Sequence, residues 1–227
     1  MDGYTYNTLY KRFLKRGPGQ MLDLAEFKKG DSFLDLCCGT GRASIEAMKR
    51  GAGKIVAIDQ TREKLYDHKF KIEGEPFIES LLEFEERNVR LYLHELQNSR
   101  NLNHLDVRFD CIFCQQAINY WISKDVVELI QKTLTSKGKF VFNTFNKKPS
   151  EDIVVKEYKL DGLHYAEVSQ LIDVVVHHGQ FCQGLHPDHQ EFHWISSEEF
   201  MEMLRPHFKT ITINSDGPTD IYVCKNF

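Results

Sequence analysis

No apolar run in the sequence reaches the ~18 residues that a membrane-spanning helix needs, and the start, Met1-Asp2-Gly3-Tyr4, is polar. The expectation is a cytoplasmic protein with no membrane partner. Positive charge is not in excess: 29 Lys and Arg face 33 Asp and Glu, a formal net charge of −4. A nucleic-acid surface normally carries a basic stripe, so nucleic acid is not an expected partner. The basic clusters Lys11-Arg12, Lys15-Arg16 and Lys28-Lys29 are short and read as solvated faces. Internal repeats and low-complexity tracts are absent. The six cysteines make no metal framework. Cys37, Cys38, Cys111, Cys114 and Cys224 lie in apolar, strand-like runs, as buried reduced thiols do. Cys111 and Cys114 form a C-x-x-C, but on a strand that spacing turns them to opposite faces. No second C-x-x-C completes a zinc site, and no metal is expected.

What is present reads as one α/β domain of 227 residues, 41% of them hydrophobic. Tyr6, Leu9, Tyr10 and Phe13 have helical spacing within 5–16, and Gly17-Pro18-Gly19 ends that run. A short helix is expected over Gln20–Glu26, a strand over Ser32–Cys38, a helix over Gly41–Arg50 and a strand over Lys54–Asp59. Residues 61–87 read as charged and mostly helical, broken at Gly74-Glu75-Pro76. The alternation Val89, Leu91, Leu93 predicts a third strand ending at His94-Glu95; a continuous helix from Phe77 to Asn98 competes with it. A strand at Phe109–Cys114, a helix at Lys124–Leu134 and a strand at Phe140–Phe145 follow, the last entered by a turn at Lys137-Gly138-Lys139.

Beyond that point the alternation of helix and strand stops. Residues 153–194 are rich in β-branched and aromatic groups, among them Leu171–Val176, and predict successive antiparallel strands. A helix at Ser197–Leu204 and strands at Thr210–Asn214 and Asp220–Cys224 close the chain, the strands joined as a hairpin by Ser215-Asp216-Gly217-Pro218. The fold class is α/β: a doubly wound, mostly parallel, seven-stranded Rossmann-like sheet with a terminal antiparallel hairpin and a β-rich cap insertion. Four parts make the single domain of 1–227. Lid helices occupy 1–30, a cofactor-binding core 31–147, the cap 148–195, and the final helix and hairpin 196–227. The cap is expected over the carboxyl ends of the strands, where such folds bind ligands.

The run Phe33-Leu34-Asp35-Leu36-Cys37-Cys38-Gly39-Thr40-Gly41-Arg42 carries the chemistry. An apolar strand breaks into a glycine turn and then a helix, whose first N–H groups are free. Gly39 and Gly41 remove the side chains that would hold a ligand off the backbone. The second strand, Lys54-Ile55-Val56-Ala57-Ile58, ends in Asp59 and Gln60, where nucleotide folds place an acid on ribose hydroxyls. A nucleoside-bearing cofactor is expected. The dinucleotide fingerprint wants a third glycine or alanine where this chain has Ser44, so that fingerprint is incomplete.

Asp35-Leu36-Cys37-Cys38-Gly39-Thr40-Gly41 resembles the first motif of class I S-adenosylmethionine-dependent methyltransferases, an acid, two residues and Gly-x-Gly; Asp59 resembles their second. The resemblance covers the whole chain in element order and implies S-adenosyl-L-methionine as cofactor. By it, Asp35 brings negative charge toward the cofactor's ammonium and sulfonium, and Gly39, Thr40 and Gly41 carry its methionine part. Asp59, with Gln60 beside it, accepts from the ribose hydroxyls, Glu95 meets the adenine amino group, and Gln115 lines the methionine end. Amino-directed DNA methyltransferases carry Asn/Asp-Pro-Pro-aromatic after strand four, where this chain has Gln116-Ala117-Ile118-Asn119-Tyr120-Trp121.

The cap, Glu191-Phe192-His193-Trp194 and the Gly217-Pro218 hairpin are similar to small-molecule N-methyltransferases, nearest in organisation to sugar-amine enzymes. That likeness implies that Tyr6 and Tyr10 close over cofactor and substrate. It departs after strand four, where those enzymes have a histidine and this chain has Asn119, Tyr120 and Trp121. Histidines gather instead in the cap, and His186 and His189, in a loop opened by Pro187, are candidate bases for a protonated acceptor. Tyr6, Tyr120, His186 and His189 are the catalytic candidates. The function expected is methyl transfer to nitrogen or oxygen of a small polar metabolite by in-line displacement. Two other readings stay open: a cofactor-binding scaffold without turnover, and a nicotinamide-dependent dehydrogenase. The expected partners are a small-molecule substrate and, at most, a second copy of the chain in a homodimer.

Overall fold

The central strands are apolar on both faces, and this sets the architecture. In the computed structural model, which describes residues 17–39, 41–59, 82–86, 89, 92–93, 108–147, 154–160, 163–170, 175–180, 194–216 and 219–226, successive strand residues enter two separate cores. The elements are α1 (Pro18–Leu24), β1 (Ser32–Leu36), α2 (Arg42–Lys49), β2 (Lys54–Asp59), β3 (Leu82–Glu86) and β4 (Phe109–Gln115). A 3-10 turn (Ile118–Tyr120), α3 (Lys124–Thr133), β5 (Leu134–Phe145), β6 (Val154–Leu160), β7 (Leu163–Gln170) and β8 (Val175–Gln180) follow. The chain ends with α4 (Ser197–Leu204), β9 (Thr210–Asp216) and β10 (Thr219–Lys225).

Leu34, Leu36, Ile58, Ile112, Cys114, Phe140, Phe142 and Tyr222 face one core, covered by Val126, Val127 and Ile130 of α3 and Phe200 and Leu204 of α4. Phe33, Ile55, Cys111, Phe113, Val141, Ile221 and Val223 face the other, covered by Met21 and Leu22 of α1 and Ala43 and Ala47 of α2. Strands buried on both sides read as unbroken apolar runs rather than as alternation. Cys111 and Cys114 do fall on opposite faces, and the five described cysteines are all free thiols.

The seven-stranded sheet has the order β3-β2-β1-β4-β5-β10-β9. β3, β2, β1, β4 and β5 pair in parallel, while β10 lies antiparallel to both β5 and β9. The chain direction of strand addition reverses between β1 and β4, which opens the crevice at which such folds bind ligands. The doubly wound sheet and terminal hairpin are therefore as expected. β6, β7 and β8 form a separate antiparallel sheet in that order within the cap segment.

Strand three is corrected. It is Leu82–Glu86, whereas Val89, Tyr92 and Leu93 are helical. Both the strand ending at Glu95 and the continuous helix from Phe77 fail; of the stretch 61–87 expected to be mostly helical, 82–86 are strand and the rest lies outside the described residues. Val89 and Leu93 enter the same core four residues apart, a spacing that suits a helix face and also a two-residue alternation. Glu95 itself lies outside the described residues; the place at the strand's end, opposite Asp59, belongs to Glu86.

β5 also starts earlier than expected. The turn at Lys137-Gly138-Lys139 is a bulge within the strand, with Phe109 opposite Leu134 but Cys111 opposite Lys139. A Cβ on Gly138 would stand 2.8 Å from the Phe109 carbonyl oxygen and 2.9 Å from Leu134 Cβ, so only glycine fits. β8 occupies Val175–Gln180, within the stretch 153–194 expected to form successive antiparallel strands.

Away from the crevice, Asp110 ties β4 to its neighbours. Its Oδ2 accepts from Ser32 N–H at 2.9 Å and Ser32 Oγ at 2.8 Å, and its Oδ1 accepts from Thr135 Oγ1 at 3.0 Å. Burial alone would raise its pKa; the bonds from Ser32 and Thr135 outweigh that and hold the carboxyl below its ordinary value. A lowered carboxyl contributes stability that is present above its ordinary value and lost as pH falls through the lower folded value. Asp110→Asn is expected to cost about 1 kcal/mol at pH 7, with the gap to wild type closing below about pH 4. Urea unfolding at the two pH values checks this, and a gap that is unchanged at acid pH contradicts it.

Candidate functional site

The turn leaving β1 is held open from below. Cys37 (φ 56°), Gly39 (φ 55°) and Gly41 (φ 77°) are all left-handed, and Gly41 is the N-cap of α2. Cys38 N–H donates to the Ile58 carbonyl at 2.9 Å, and Gly41 N–H to the Cys38 carbonyl at 2.9 Å. Gly39 N–H donates to Asp59 Oδ2 at 2.8 Å. The acid ending β2 thus grips the glycine turn ending β1. A Cβ placed on Gly39 would meet no atom within 4 Å, so the space beside its backbone is open to a ligand. No side chain of the N-cap residue bonds the start of α2.

Asp35 lies beneath this turn and is 2% exposed. Its Oδ2 accepts from Ser44 Oγ at 2.6 Å and from Ser44 N–H at 3.1 Å. Ser44, the position where a dinucleotide fingerprint wants glycine or alanine, thus fastens the first turn of α2 to β1. Burial pushes Asp35 up to about 7; the bonds from Ser44 act against that and the neighbouring Asp59 charge adds to it. The thiol of Cys37 is pushed up by its hydrogen bond to Cys114 and by burial, so it stays protonated and makes no nucleophile. Among the described residues no group of His, Cys, Asp and Glu could hold a metal ion.

The other wall of the crevice comes from β4 and β5. Gln115 ends β4 opposite Asn143, and its amide nitrogen is buried without a hydrogen-bond partner. Gln116 is left-handed (φ 58°), and its N–H donates to Asn143 Oδ1 at 2.7 Å. Thr144 Oγ1 donates to Asn119 Oδ1 at 2.5 Å. Asn143 and Thr144 point to opposite faces of β5, so the loop after β4 is fixed from both sides of the sheet. Tyr120 is brought to this wall, where it packs with Phe145 and Trp194 against one apolar cluster.

The structure therefore brings together Asp35, Gly39, Gly41 and Asp59 on one wall and Gln115 and Tyr120 on the other. Tyr6, Tyr10, Thr40, Gln60, Glu95, His186 and His189 lie outside the described residues. Sequence reasoning passed over Asn143, Thr144, Phe145 and Asp220. Two polar residues interrupting the apolar strand Phe140–Phe145 were the available signal for the first two.

The raised value at Asp35 gives a signed expectation. Between the ordinary 3.8 and about 7 the folded protein holds a proton that the unfolded chain has released. The stability this gives is complete at low pH and is lost as pH rises toward 7, at no more than about 1.4 kcal/mol per pH unit. Asp35→Asn is expected to flatten thermal stability against pH between 5 and 8 in the ligand-free protein. Parallel curves for the two proteins contradict this.

Residues 27–205 match the family described as a methyltransferase domain. Among curated proteins, none matches the chain in sequence. Solved structures do match in fold. An S-adenosylmethionine-dependent methyltransferase from Clostridium acetobutylicum is 17% identical, with 98% of each chain covered and a TM-score of 0.66. An amino pentose methyltransferase of calicheamicin biosynthesis from Micromonospora echinaspora, solved with S-adenosylmethionine bound, is 14% identical. It covers 98% of this chain and 97% of its own, with a TM-score of 0.65. DesVI of Streptomyces venezuelae is also 14% identical, with the same coverage and a TM-score of 0.66.

Proposed function

Because the chain belongs to the methyltransferase domain family, we propose that it binds S-adenosylmethionine at the Gly39–Gly41 turn and methylates nitrogen or oxygen of a small polar metabolite. The turn itself carries this reading: an open glycine backbone, clamped by a carboxylate, at the switch point of a doubly wound sheet. The residues present fit the cofactor. Open space beside Gly39 suits its methionine part, Asp59 offers acceptors to ribose hydroxyls, and the buried amide of Gln115 lacks the partner that a carbonyl or carboxylate oxygen would supply. When bound, the cofactor supplies a sulfonium methyl that needs no further activation.

The chain's own task is then to orient the acceptor and exclude water. Asn143 and Thr144 fix the loop of Gln116–Tyr120, so Gln115 and Tyr120 are presented from a rigid frame. In this reading Tyr6 and Tyr10 close the crevice from the amino-terminal segment and Gln60 remains a proposed cofactor contact, while Glu95 loses the strand-end place on which its adenine role rested. His186 or His189 removes a proton where the acceptor arrives protonated. The neighbour that is an amino pentose methyltransferase favours an acceptor of metabolite size.

Incubation with methyl-labelled S-adenosylmethionine and a cell extract, separated into small-molecule and macromolecular fractions, tests the reading. Label is expected in the small-molecule fraction, with S-adenosylhomocysteine formed in step. Label only in protein or nucleic acid contradicts it, and cofactor binding without turnover points to a scaffold. With the product in hand, His186→Ala and His189→Ala are expected to lower turnover most on the acid side of the pH profile. Profiles unchanged in both variants remove the base and leave catalysis by positioning alone.

A further inference from the structure

We propose that the methyl acceptor is a small, positively charged amine and that Asp220 is the side chain that recognises its charge; this rests on the small-molecule reading above. Asp220 begins β10 opposite Thr144, and β10 runs against β5. It therefore lies at the same end of the sheet as the carboxyl ends of β1, β4 and β5, on the crevice side. It is 5% exposed. Among the described residues its oxygens meet neutral donors: Asn146 Nδ2 to Oδ1 at 3.3 Å and Ser197 Oγ to Oδ2 at 3.5 Å. Bonds to a carboxylate are usually shorter, about 2.5–2.9 Å.

The contrast with the two other buried acids is direct. Asp35 accepts two bonds from Ser44, and Asp59 accepts the Gly39 amide at 2.8 Å. The described ion pairs involve Arg50, Lys132, Lys139 and Lys225, and none of them includes Asp220. A buried carboxylate without a cation is unfavourable, and an arriving ammonium removes the penalty.

A second observation points the same way. The segments holding Asp220 also carry aromatic rings: Phe145 precedes Asn146, and Trp194 enters the turn leading to Ser197. These two rings pack with Tyr120 against one cluster, and aromatic faces attract cations. The indole N–H of Trp194 is buried without a partner, leaving a donor for an oxygen of the same ligand. β10 stands two strands from β4, roughly 10 Å at the usual strand spacing, so one small molecule can span from Gln115 to Asp220.

The test uses the full chain loaded with S-adenosylhomocysteine. It is titrated calorimetrically with choline, with butylamine and with 3,3-dimethylbutan-1-ol, the uncharged isostere of choline. Both cations, the quaternary ammonium of choline and protonated butylamine, are expected to bind at least about tenfold more tightly than the alcohol. Asp220→Asn is expected to abolish that preference while leaving S-adenosylhomocysteine affinity unchanged, and Asp220→Glu to restore part of it. Ser197→Ala, which removes one bond to Asp220 but keeps the charge, is expected to retain the preference.

Equal binding of cation and alcohol by the wild type, or no binding of either cation, overturns the proposal whatever the variants do. So does a preference that survives Asp220→Asn, which would leave the carboxylate a purely structural partner of Asn146 and Ser197. Failure of S-adenosylhomocysteine itself to bind overturns the methyltransferase reading instead.

Discussion

One hydrogen bond, from the Gly39 amide to the carboxylate of Asp59, organises the wall at which we propose the cofactor binds. It joins the turn leaving β1 to the end of β2 and holds three left-handed residues where the backbone lies open. Gly39 and Gly41 tolerate that conformation at no cost, while Cys37 adopts it only because the turn is held on both sides. The direction of α2 follows from the same turn. Asp35 completes the support from beneath by bonding Ser44. The two acids are thus first of all structural, each bonded to the turn or to the helix that follows it.

The opposite wall is built from neutral groups. Asn143 and Thr144 reach to the two faces of the sheet and hold the loop after β4, so that Gln115 and Tyr120 are presented without a carboxylate, amine or imidazole among them. Such a wall suits a reaction whose donor is already activated and whose rate depends on alignment. Among the described residues beyond that wall, the buried acid is Asp220, where in the proposal above its charge bears on which acceptor is selected rather than on the bond being broken.

How much of this was legible in the sequence depended on how local each feature is. β1, β2 and β4 are largely apolar runs, closed by the Gly39 turn, Asp59 and Gln115, and burial on both faces leaves little else for them to be. The glycine turn and Asp59 were legible because backbone conformation and strand ends are fixed by neighbouring residues. β3 was not, since Val89 and Leu93 satisfy two periods at once and only pairing with β2 singles out Leu82–Glu86. The bulge at Gly138 depends on the Phe109 carbonyl, which is distant in sequence. Asp220 escaped for the same reason: a polar residue opening a strand reads as a hairpin boundary. Its burial arises because β10 is slotted between β5 and β9.

The most direct measurement of the central claim is a crystal structure of the protein with S-adenosylhomocysteine. The account predicts the ribose hydroxyls donating to Asp59 while Gly39 keeps its bond to the same side chain, with the sulfur facing Gln115. A nucleoside bound away from the Gly39–Asp59 turn, or one that displaces Asp59 from Gly39, would contradict it.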